Sequence, residues 1–291
     1  MTNSLNQKKI RSAKKMRIID SVWTHALLAV LAILWLAPII WIVLRSFSDV
    51  PGMATASIWP ERFSLVNYRN LFVETWSIKF VNWYRNTLLI AVANCVLSTL
   101  VTLGAAYALA RFRFKTRKTF ISIALILGMF PGFMAIIAIV IILNMLGLFN
   151  QPFALLLVYV SGAGLGFFVS KGYFDTLPVS LDEAALIDGA SQAVIFFKII
   201  LPLSKTIIIY TAMLAFMVPW SDFILAGQLL RLPEYQTVAV GLFHMTGERN
   251  ISRDFPLFTA GSVLVAVPIV ILYLILQRYM IAGISSGAVK G

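Results

Sequence analysis

The chain has 291 residues, of which 60% are hydrophobic and only 12% charged, with a mean hydropathy of +0.88. A soluble domain of this size would carry roughly twice that charged fraction, so the composition excludes a soluble protein and points to an all-α polytopic membrane protein. The formal net charge of +12 would also suit a nucleic-acid binder, but the basic residues crowd two short segments that flank apolar runs, the positive-inside pattern.

Lys8, Lys9, Arg11, Lys14, Lys15 and Arg17 stand in residues 1–21 ahead of the first apolar run. That run is too long for a signal peptide and no small-residue cleavage site follows it, so the segment reads as a basic cytoplasmic tail before an uncleaved first span. Six stretches are long enough to cross a bilayer: 22–44, 84–110, 120–146, 152–170, 207–230 and 255–279. Open sheet edges do not survive in lipid, so all six are expected as helices. Arg45 is placed to snorkel at the far end of the first span. Trp23, Trp41, Trp59, Trp76, Trp83 and Trp220 fall mostly near span ends, as interfacial anchors do. Pro38, Pro131, Pro219 and Pro268 lie inside spans or near their ends, where each removes a helix bond. Cys95 is the one cysteine and sits in an apolar run, so disulfides and cysteine-held metals are excluded as structural devices.

The loops set the orientation. Arg111, Arg113, Lys115, Arg117 and Lys118 follow the second span with no acid among them, so this loop lies inside with the N-terminus. The loop 46–83 mixes Asp49, Glu61 and Glu74 with Arg62, Arg69 and Lys79 and belongs outside. By parity the loop around Glu183 and the tail 281–291 are inside. The loop 231–254 is outside, where His244, Gly247, Glu248, Arg249 and Asn250 are expected to face water and a partner.

Residues 177–203 are the polar, punctuated exception in an apolar chain. Ser180 and Glu183 have the spacing of a capping box, so a short helix is expected from about Leu181 through Glu183, Ala184, Ala185 and Asp188. Gly189 is a natural stop. A second helix is expected after Ser191, ending where Pro202 interrupts the bonding at Leu201. The product is a helix–glycine turn–helix element with a small alanine face suited to docking on another protein.

Glu183-Ala184-Ala185, Asp188-Gly189-Ala190, Phe196, Ile199 and Leu201-Pro202 resemble, as one ordered set, the EAA loop of importer permeases of the ATP-binding-cassette class. Asn86-Thr87-Leu88, Ala106-Tyr107-Ala108-Leu109-Ala110-Arg111-Phe112 and Phe174-Asp175-Thr176-Leu177-Pro178 are similar to segments of its sugar-importer branch. The ending, Gln277-Arg278-Tyr279 and Gly287-Ala288-Val289-Lys290-Gly291, looks like that of the MalG-type permeases of maltose and maltodextrin importers. The resemblance implies a type I permease core at 84–280 in a bacterial cell membrane. It also implies a cytoplasmic coupling helix, carried by Glu183, Ala184, Ala185, Asp188, Gly189 and Ala190, that seats in a separate ATPase subunit. The implied partners are a homologous second permease, two ATPase subunits carrying ATP and Mg, and an extracytoplasmic sugar-binding protein, contacted by the loop with His244, Gly247, Glu248 and Arg249. One departure stands out. Family members carry a proline and polar residues midway along the third span, whereas Ala135 to Ile142 reads AIIAIVII. Sugar contacts at that position then fall to the partner permease.

No catalytic constellation is present. His25 and His244 lie on opposite sides of the membrane with no second ligand near, which leaves no metal site, and no Gly-Lys dipeptide occurs for a phosphate-cradling loop. The chain is therefore expected to be a transport subunit and not an enzyme. Asp222 is the clearest intramembrane carboxylate, a candidate for the translocation path or, equally, for a cap at a span end. Two rival readings are an ion-driven secondary carrier and a non-transporting membrane scaffold or sensor.

Overall fold

The computed structural model describes residues 2–52, 59–75, 78–247 and 251–288, and for 2–19, 251–252 and 280–288 the backbone alone. Trp76, Glu248, Arg249, Asn250 and Val289-Lys290-Gly291 lie outside the described residues. In lipid every backbone amide and carbonyl must be paired within its own segment, and the apolar runs accordingly fold as helices. In chain order these are α1 (Thr2–Ser46), α2 (Val66–Leu71), α3 (Phe80–Arg111), α4 (Arg117–Met129), α5 (Ile136–Met145), α6 (Pro152–Ala163) and α7 (Phe168–Asp175). They continue with α8 (Ser180–Ile187), α9 (Gln192–Val194), α10 (Leu201–Leu203), α11 (Lys205–Ser221), α12 (Ile224–Leu229), α13 (Val238–Met245) and α14 (Ile251–Ala288). A π-helical turn, Ile195–Ile200, joins α9 to α10, and a 3-10 turn, Gly164–Phe167, joins α6 to α7. Among the described residues no strand forms beyond an isolated bridge between Ser48 and Phe63.

Among the described residues four helical stretches are long and apolar enough to cross a membrane: Asp20–Ser46, Phe80–Arg111, Pro152–Asp175 and Arg253–Tyr279. The other two expected spans are broken. The stretch 120–146 breaks at Pro131 into α4 and a second piece, Gly132–Met145, which meet at 92°. Phe130 is extended (ψ 133°) because the residue before a proline avoids helical dihedrals. The stretch 207–230 is not one helix either. α11 stops at Ser221, Asp222 turns the chain out with ψ 103°, and α12 is separate. At its start α11 meets the piece Gln192–Leu203 at 89°. That corner lies at Ser204, not at Pro202 as expected. The π turn widens the bonding register just ahead of Pro202, so the missing N–H is absorbed and the helix runs on to Leu203. The Ser204 hydroxyl then donates to the Ile200 carbonyl at 2.7 Å.

α3 is the axis of the bundle. Thr87, Ala91, Asn94, Ser98, Thr102 and Ala106 form one buried stripe of small residues along it. Small side chains let helix backbones approach closely where lipid offers no hydrophobic drive between helices. α11, α6 and α7 pack on this axis, while α1 rests on α14 and keeps its apolar flanks outward, with Trp35 77% exposed. Arg45 does not snorkel. It is 4% exposed and donates to Ser48 Oγ at 2.8 Å and to the Val50 and Gly52 carbonyls, because the chain folds back over the end of α1. The segment 231–247 is likewise no open loop. Its apolar residues fold as α13, burying Val238, Val240 and Met245 against the bundle.

Candidate functional site

α8 ends as its glycine requires. Gly189 has φ +79°, its N–H meets the Leu186 carbonyl at 3.0 Å, and the Ala190 N–H reaches back to the Ala185 carbonyl at 2.9 Å. This pair of bonds is a Schellman turn, and the left-handed residue at its centre is the one an L side chain resists. The start of α8 differs from expectation. Val179 already has helical dihedrals and its carbonyl takes the N–H groups of Asp182 and Glu183 at 3.0 and 3.1 Å. The Glu183 N–H is thus occupied by backbone and no side chain caps α8, so the Ser180–Glu183 box does not form. The side-chain cap sits one element later, where Ser191 Oγ accepts from the Val194 N–H at 3.4 Å.

Asp182, which reading the sequence passed over, fastens this element to the axis. It is 6% exposed; the Tyr107 hydroxyl donates to its Oδ1 at 2.9 Å, and the Arg111 Nε lies 3.1 Å from its Oδ2. Arg111 Nη2 also donates to the Leu177 carbonyl at 3.0 Å. Tyr107 and Arg111 are one helical turn apart and so share a face at the end of α3. A Tyr-x-x-x-Arg pair closing one span, with an acid in the polar loop, was the available signal. Around the pair Tyr107, Phe174, Ile195, Phe196 and Ile200 form a buried apolar cluster.

The expected alanine face is corrected. Ala185 points inward at 7% exposure while Ala184 is exposed, since adjacent helix positions are about 100° apart. The outward surface carries Glu183, Ala184, Leu186, Ile187 and Asp188, with Ile187 86% exposed. Ile187 and Leu186 thus stand bare between the carboxylates of Glu183 and Asp188.

Asp222 occupies the break between α11 and α12. Its Oδ1 accepts from the Leu225 N–H at 3.0 Å and its Oδ2 from the Tyr159 hydroxyl at 2.6 Å. It caps α12 and simultaneously reaches α6. Tyr159 also lines a cavity of about 330 Å³ between α3, α6, α7 and α11, with Asn94, Ser98, Thr102, Ser170, Tyr210 and Thr211 among its walls. The apolar stretch 135–142, where the sequence argues against sugar contacts from this subunit, stands apart: Ile139 and Ile142 line a separate groove with Leu143, Leu157 and Val158.

At the other end of α3, Trp83 Nε1 donates to the Pro233 carbonyl at 2.7 Å, and Asn86 Nδ2 to the carbonyls of Glu234 and Gln236 at 3.0 and 3.1 Å. The Val238 N–H donates to Thr87 Oγ1 at 2.8 Å. α13 lies so close that a Cβ on Gly241 would stand 2.1 Å from the Trp83 ring. His244 and Gly247 are exposed at the end of α13, while Glu248 and Arg249 belong to the segment not described. The structure thus gathers the α8 residues at the Arg111 end of α3. It keeps Asp222 and His244 away from them, toward the Trp83 end.

The chain matches, over residues 100–286, the family described as binding-protein-dependent transport system inner membrane component. It is 36% identical over 279 residues to the galactooligosaccharides transport system permease protein GanQ of Bacillus subtilis (strain 168), covering 96% of this chain and 98% of that one. Similarity to the maltodextrin transport system permease protein MdxG of the same strain is 34% over 281 residues, covering 96% and 100%. Similarity to the maltose/maltodextrin transport system permease protein MalG of Vibrio vulnificus (strain YJ016) is 31% over 288 residues, covering 93% and 96%. In fold it is similar to a chain of a bacterial ABC transporter involved in the import of the acidic polysaccharide alginate. The TM-score is 0.75 at 24% identity, covering 90% of this chain and 96% of that one.

Proposed function

The chain belongs to the family of binding-protein-dependent transport system inner membrane components, and we propose that it is a permease subunit of an ATP-driven oligosaccharide importer in a bacterial membrane. It crosses the membrane six times, each bent pair serving as one span, with both termini inside. It forms half of the translocation path beside a homologous permease. Two ATPase subunits work from the cytoplasm, and a sugar-binding protein delivers its cargo outside at the segment with His244, Gly247, Glu248 and Arg249. ATP binding closes the ATPase pair, α8 moves with it, and the Asp182–Arg111 link passes that movement to α3 so that the path alternates in access. Relatives named for galactooligosaccharides and for maltodextrin support an oligosaccharide cargo, with maltodextrin one candidate.

The observation that carries this reading is the bare apolar tip of α8, held on a fixed turn and locked by a buried ion pair to the central helix. An ion-gradient carrier has no use for such a surface. The test is co-purification in detergent with a candidate ATPase, comparing wild type with Gly189→Trp. Wild type should retain an ATPase whose hydrolysis tracks sugar uptake, and the variant should lose it or hydrolyse ATP without uptake. If wild type never holds an ATPase, the ion-driven carrier takes the place of this reading.

A further inference from the structure

The cavity of about 330 Å³ beside α3 falls in the size range of small-ligand sites. Its walls combine the two kinds of surface a pyranose presents. Asn94 uses one amide N–H on the Ala215 carbonyl at 2.7 Å, leaving its second N–H, and Ser98 donates to Asn94 Oδ1 at 2.6 Å while keeping its lone pairs. The Ser170 and Thr211 hydroxyls lie 3.2 Å apart, so one donates to the other and one proton is left over. Tyr159 and Tyr210 add aromatic surface that suits the C–H face of a sugar ring. These groups come from α3, α6, α7 and α11, with no contribution from 135–142.

Charge narrows the ligand. No Lys, Arg or His is among the residues that line the cavity, and the charge beside it is the Asp222 carboxylate held by the Tyr159 hydroxyl at 2.6 Å. A uronate entering here would lose water without a counter-charge and would meet that carboxylate across one phenol. We propose that this cavity is a sugar site supplied by the chain itself, taking a short uncharged pyranose segment and refusing acidic sugars. The proposal rests on the permease reading and adds to it that this subunit, and not its partner alone, touches the cargo.

The test uses the whole transporter, purified with its ATPase subunits, carrying Thr211→Cys in a Cys95→Ala background. Ser98→Cys serves as the second reporter should the first fail to assemble. An uncharged maleimide labels the cysteine with and without maltotriose, a galactotriose, a xylotriose or a trigalacturonate. At least one neutral trisaccharide should slow labelling, by about tenfold once occupancy reaches about nine-tenths, and trigalacturonate should not. Asp222→Asn should then let trigalacturonate give measurable protection. No protection by any neutral probe in a complex that hydrolyses ATP overturns the site, and equal protection by trigalacturonate overturns its charge selection. A complex that never contains an ATPase instead overturns the permease reading beneath it.

Discussion

Asp182 and Arg111 show how much a single residue decides. Both are largely buried, 3.1 Å apart, at the end of the bundle where the polar loop returns. Removing one partner strands the other charge, a loss of about 3–5 kcal/mol for a buried pair. Asp182→Asn keeps the side chain's shape and should lower the unfolding temperature in detergent, followed by tryptophan fluorescence. Asp182→Asn with Arg111→Met should recover part of that loss, because no charge is then stranded; full additivity of the two single losses would mean they act independently. Gly241 makes a second residue-scale prediction. Trp83 is 1% exposed and its Nε1 is bonded to Pro233, so the ring has nowhere to go when Gly241→Ala adds a methyl. Overpacking there should cost about 1–3 kcal/mol or more by the same measurement. Neither partnership is local in the sequence. Glu183 drew attention because S-x-x-E is a local pattern, whereas the partners of Asp182 lie 71 and 75 positions away and Gly241 has meaning only beside Trp83.

At the scale of elements, what depends on local chemistry could be read and what depends on neighbours could not. The glycine stop of α8 followed from one residue type at one place. Gly189 sits at φ +79° with open space around its Cβ position, so the penalty for a side chain is conformational and not steric. Gly189→Val should therefore destabilise the turn by about 1–2 kcal/mol, and Gly189→Asn by clearly less, since asparagine tolerates left-handed dihedrals. Hydrogen exchange of the Gly189 and Ala190 amides would register this as faster opening in the valine variant, with the spans unchanged. Equal exchange in both variants would mean the turn is held by something other than its backbone. The corners were harder to read. Apolar runs at 120–146 and 207–230 are continuous in composition, yet Pro131 and Asp222 split them, and hydropathy alone registers neither the 92° bend at Pro131 nor the 89° corner at Ser204 just ahead of the second run.

For the whole molecule, the charge pattern and the packing group the same two polar loops together by independent routes. The acid-free segment Arg111–Lys118 was assigned to the inside from charge, and Arg111 itself bonds to Leu177 and pairs with Asp182, so both polar loops share one end of the bundle. Trp83 and Asn86, at the opposite end of a 32-residue helix, hold the segment around Glu234. α3 is about 48 Å long at 1.5 Å per residue, enough to carry its two ends past both interfaces of a bilayer. Single cysteines in a Cys95→Ala background should therefore divide into two sets in sealed spheroplasts. Lys115→Cys and Ala184→Cys should react with a membrane-impermeant maleimide only after lysis, whereas Arg62→Cys and His244→Cys should react before it. If positions 115 and 184 fell in different sets, the bent pair α4–α5 would be a re-entrant hairpin that leaves on the side it entered. Positions 115 and 184 would then no longer share the cytoplasm on which the coupling of α8 depends.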